Sequence, residues 1–129
     1  TTQAALAAAG ELLERGIDMG VVNARFAKPL DAALIGRLLR GNAPVLICED
    51  HARAGGFGSA VLELAVERGW PTNTIRQLCL PDRYIPHATR GEQLHEVGLD
   101  AEGLAAAARE LTASPSESSA VAKRSDWPD

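Results

Sequence analysis

The stretch EDHARAGGFGSA, Glu49–Ala60, places a charged cluster, a histidine and three glycines between an apolar run and a helical pattern. A strand, then glycines, then a helix is where α/β proteins bind phosphate, because free N–H groups and the positive end of the helix dipole meet there. The spacing fits neither strong fingerprint. G-x-G-x-x-G needs glycine at position 61, which is Val61, and no Gly-Lys-Ser/Thr follows. The favoured reading is that Gly55 and Gly56 turn the chain and Gly58 lets the helix approach the sheet. A phosphate cradle is the lesser one. Ser59, close to Asp50 and His51, suggests a nucleophile with a base and its support. A nucleophile elbow reads G-x-S-x-G, whereas here the chain reads F-G-S-A-V. Asp50 and His51 are neighbours in sequence and poorly placed to orient one another as a triad requires.

A second cluster lies in LPDRYIPHATRGEQLHEVGLD, Leu80–Asp100. It holds Asp82, Arg83, Tyr84, His87 and Arg90 within nine residues. Placed beyond a strand end, that density suits an anion or a partner chain. It suits a capped, proline-stiffened loop equally well. Arg25 and Lys28, in RFAKPLD, could likewise meet a phosphate or an acidic neighbour. Metal chemistry has little support. His51, His87 and His95 lack the i, i+4 spacing of helical ligands, and Cys48 and Cys79 form no C-x-x-C pair. Both cysteines read as small buried hydrophobes in a reducing, cytoplasmic setting.

The elements that must position these residues follow from hydrophobic period and turn signals. An alanine- and leucine-rich helix runs over residues 1–15, with Gly16 as its stop. Met19–Asn23 reads as a short strand. Asp31 caps a helix over AALIGRLLR, ended by Gly41 and Asn42. Pro44–Cys48 is a second strand, continuously apolar and so covered on both faces. FGSAVLELAVERG is helical, and Thr74–Leu80 is a third strand. GEQLHEVG supplies a short helix, and Asp100 caps another over AEGLAAAARELTA. The proline-punctuated polar stretch at 114–129 is expected to be a disordered tail, leaving 1–113 as one domain. Alternating strands and helices imply an α/β fold with a parallel sheet between helical layers. Such units open on a strand, whereas this chain opens on a helix. A strand before Thr1 is therefore expected to be missing.

Composition narrows the partners. The 129 residues are 46% hydrophobic but only 4% aromatic, so the core is aliphatic. A net charge of -4 and the lack of a basic, aromatic-laced run argue against nucleic acid. No run of 18 apolar residues points to a membrane.

NARFAKPLD, PVLICED with GGFGSAVLELAVERG, and LPDRYIPHATRGEQLHEVGLD occur in that order. Together they resemble the C-terminal domain of the 1-deoxy-D-xylulose-5-phosphate synthases, which are transketolase-like, thiamine-diphosphate-dependent enzymes. The resemblance spans Thr1 to about Leu111. It implies a three-layer α/β/α domain with a mostly parallel sheet, lacking its first strand. It also implies a parent homodimer that condenses pyruvate with glyceraldehyde 3-phosphate, losing carbon dioxide, to feed isoprenoid, thiamine and pyridoxal synthesis. In that family thiamine diphosphate, Mg²⁺ and the catalytic residues belong to upstream domains. No catalytic, cofactor-binding or metal-binding residue therefore carries over to this chain. The resemblance implies a supporting role at the interfaces with those domains and with a second copy. Gly55, Gly56, Gly58, Ser59, Arg25, Lys28, Asp82, Arg83, His87 and Arg90 are the candidate interface residues. The alternative is a self-standing anion-binding or regulatory module using the same loops.

Overall fold

The computed structural model describes residues 1–113, so the tail expected from 114 lies outside the described residues. Helix α1, Thr2–Glu14, ends in a Schellman motif. Gly16 takes φ +81, its N–H reaching Leu13 O, while the Ile17 N–H reaches Leu12 O. Helix α2, Ala32–Arg40, is capped by the Asp31 carboxylate, which accepts from the Leu34 N–H at 2.9 Å. Strand β1, Val45–Ala52, passes through the glycine turn into helix α3, Phe57–Glu67. Strand β2, Ile75–Leu80, follows. Helix α4, Arg90–Glu96, opens on a capping box between Thr89 and Glu92. Helix α5, Ala101–Ala113, is capped by Asp100, whose Oδ1 accepts from the Gly103 N–H at 2.8 Å.

β1 and β2 are parallel, as a strand–helix–strand crossover requires, with Val45 opposite Ile75 and Cys48 opposite Leu78. Two apolar clusters sandwich them. On one face Leu12 and Ala8 of α1 meet Leu104, Ala105 and Ala108 of α5, over Leu46, Cys48 and Leu78. On the other, Ile35 and Leu39 of α2 and Val61 and Ala65 of α3 close over Ile47. This is the expected three-layer α/β/α arrangement. Leu12, Leu39, Leu99 and Leu104 are fully buried, each worth about 1.5–3 kcal/mol in transfer free energy.

One expected strand is absent. Met19–Asn23 makes no ladder, and among the described residues the sheet has two strands. The reason is spatial. A cavity of about 110 Å³ separates Met19–Val22 from Leu46 and Cys48. A larger one, about 760 Å³, continues between Val22–Phe26 and Val45–Asp50. Strand hydrogen bonds need neighbours about 4.7–4.9 Å apart, and the intervening gap holds no chain. Thr1 and Thr2 line both cavities, and Val22, Phe26 and Leu38 are exposed along the larger one.

Candidate functional site

The glycine turn is built around Glu49, a buried carboxylate with 7% of its surface exposed. Pairing is regular up to Cys48–Leu78 and resumes only at Ala52–Leu80, so Glu49, Asp50 and His51 bulge from the ladder. Glu49 lies on the α3 side of the sheet, two residues on from buried Ile47. Its Oε2 accepts from the Phe57 N–H at 2.6 Å and its Oε1 from the Gly58 N–H at 3.0 Å. These are the first N–H groups of α3, the donors that a phosphate at this turn would use. The chain's own carboxylate occupies them, with the favourable dipole interaction of an anion at a helix N-terminus.

The glycines are shaped to that carboxylate. Gly55 holds φ +72, the left-handed region. A Cβ on Gly56 would strike the Glu49 carboxylate and sit 2.6 Å from Ala52 O. One on Gly58 would lie 2.8 Å from Gln77 Cδ and 3.0 Å from Glu49 Oε1. Ser59 Oγ donates to Arg53 O and so closes the turn.

The basic residues of the second cluster are engaged by acids. Arg90 pairs with Asp50 at the end of β1, and Arg83 with Glu96 at 2.8 Å. Lys28, Asp82 and His87 are exposed, without a hydrogen bond or ion pair among the described residues. Arg25, at φ +48, lies beside the larger cavity, as does Asp50. The structure thus joins the glycine turn to Arg90 through Asp50 and leaves Lys28, Asp82 and His87 apart.

His95, Asp100 and Glu102 bring potential ligand atoms within 4.8 Å of one another. The arrangement is explained by a helix cap: Asp100 Oδ1 caps α5 and its Oδ2 meets His95 Nδ1 at 2.6 Å. Cys48 and Cys79 are free thiols. Burial pushes the Cys48 thiol up to about 11.

Comparison with known proteins bears on this geometry. The profile of the transketolase C-terminal domain matches residues 1–104. The chain belongs to the transketolase C-terminal domain family. As such a domain it is 43% identical over 105 residues to 1-deoxy-D-xylulose-5-phosphate synthase of Geobacillus thermodenitrificans, covering 81% of this chain and 17% of that protein. It is 45% identical over 109 residues to the synthase of Magnetococcus marinus, covering 83% and 17%. A solved structure described as "Split gene transketolase, inactive beta4 tetramer" superposes with TM-score 0.76 at 33% identity, over 86% of this chain and 36% of that one. The transketolase C-terminal domain described here therefore spans about a sixth of the length of these synthases.

Sequence reasoning missed two parts of this domain. Glu49 reads as one more charge in EDHARA, whereas its carboxylate is buried against the first N–H groups of α3. The capping box was written in Thr89-x-x-Glu92, the usual pattern for reciprocal capping.

Proposed function

We propose that this chain is the C-terminal, non-catalytic domain of a 1-deoxy-D-xylulose-5-phosphate synthase. The parent enzyme would join pyruvate to glyceraldehyde 3-phosphate with loss of carbon dioxide, as a cytoplasmic homodimer in isoprenoid precursor synthesis. The observation that carries this reading is the identity of 43–45% to such synthases over more than four-fifths of the chain. The domain's work would be structural, holding the upstream domains and the second copy in register.

The glycine turn does not fit a diphosphate. Its helix N-terminus already holds the Glu49 carboxylate. Nor do the described residues make a Mg²⁺ cage, which takes oxygen ligands, since the one candidate trio among them includes an imidazole. The structural neighbour described as inactive, of which this chain covers 36%, supports the view that this domain does not turn over alone. The gap beside β1 supports a further part of the reading: an extended segment preceding Thr1 would complete the sheet.

The test compares the full-length protein, a version cut before Thr1, and the 129-residue chain. Each receives pyruvate, glyceraldehyde 3-phosphate, thiamine diphosphate and Mg²⁺. Full-length protein should form product as a dimer. The cut version should lose activity and dimerisation together. Turnover by the 129-residue chain itself would refute the reading.

A further inference from the structure

Helix α4 buries none of its residues. Leu94 and Val97 are half-buried, and side-chain bonds tie the helix to Asp50 of β1 and to the loop that leads into it. At its start, Arg90 reaches Asp50 at the end of β1. Along its length, the Gln93 amide donates to Pro86 O at 3.1 Å, and Glu96 takes Arg83. At its end the backbone turns at Gly98, φ +70, in a Schellman motif that places Leu99 N–H on Leu94 O. Leu99 is fully buried and anchors the far side of that joint. His95 and Asp100 reach across the joint to each other at 2.6 Å.

We propose that α4 is a charge-held flap tied to Asp50 of β1 through Arg90, jointed at Gly98 and latched by the His95–Asp100 pair, which loosens as pH rises. The charged groups that act on His95 are Asp100, the cap residue of α5, and Glu102 in its first turn. Both are acids, so they favour the imidazolium. The Asp100 hydrogen bond, then its charge, raises the His95 pKa above its ordinary value of about 6.5. The Gly103 N–H, then His95, lowers that of Asp100. The latch is therefore fully charged below about 6.5 and fades as pH rises through the raised His95 value. Opening would free the Asp50 carboxylate and the Arg90 guanidinium, next to the Glu49 turn.

Hydrogen exchange on the full-length protein tests this, with protection corrected for intrinsic rates at about pH 6 and about pH 8.5. Amides of 90–97 should be several-fold better protected at the lower pH, while those of α5 stay level. His95→Gln should hold 90–97 at the high-pH value throughout. Arg90→Gln should lower protection at both pH values and keep their ratio. Equal protection at both pH values in the unmodified protein would overturn the proposal, as would an unchanged ratio in His95→Gln. So would equal losses in α4 and α5, because those report global unfolding.

Discussion

Glu49 is the residue on which the glycine turn depends. Its two carboxylate oxygens satisfy the first donors of α3, and Gly56 and Gly58 leave room for it. Glu49→Ala should cost about 1–3 kcal/mol for each donor left unpaired, measured by urea unfolding of the full-length protein. Gly56→Ala should destabilise as well, because its Cβ meets the backbone Ala52 O and a carboxylate held by two N–H groups of α3. Gly10→Ala is the contrast. Gly10 lies in the interior of α1 with nothing within 4 Å of an added Cβ, so alanine there should stabilise by about 0.5–1 kcal/mol. Sequence alone shows that the glycines are needed. It does not show what they make room for, because the partner is an acid in what reads as a solvated polar loop.

Helix ends were the most legible elements. Asp31 and Asp100 cap where a polar residue precedes an apolar stripe, and Gly16 takes the left-handed conformation after α1. Local chemistry decides these positions, so a local reading finds them. Asp31→Ala should cost about 0.5–2 kcal/mol in chemical denaturation, and Asp31→Asn much less, since asparagine also accepts from the Leu34 N–H. The strand expected at Met19–Asn23 was not decided locally. An apolar run becomes a strand only when a neighbour offers hydrogen bonds, and across this gap none does. β1 runs four residues beyond its apolar core, through Ala52, because β2 pairs again past the bulge.

At the scale of the molecule, alternation of strand and helix was enough to foresee three layers, since each helix must bury its apolar face on the sheet. The gap beside β1 was foreseen as a missing strand, but its extent is a property of the fold. Cys48 lines both cavities and so reports on what fills them. In a Cys79→Ser background, alkylation of Cys48 in the 129-residue chain should be slow at neutral pH. It should rise about tenfold per pH unit until the thiol ionises near 11. In the full-length protein the same thiol should react more slowly at every pH. Equal rates in the two would mean that no upstream segment covers it.

The free side of β1 also bears on how this piece behaves once separated from the rest. Its unpaired N–H and C=O groups run along an apolar floor, open to any extended chain of matching spacing. A second copy carries the same edge, so association would grow with concentration and begin at Val45–Cys48. Whoever produces the 129 residues alone would then meet an oligomer whose size follows protein concentration, and a short β-branched peptide should dissolve it by taking the edge first.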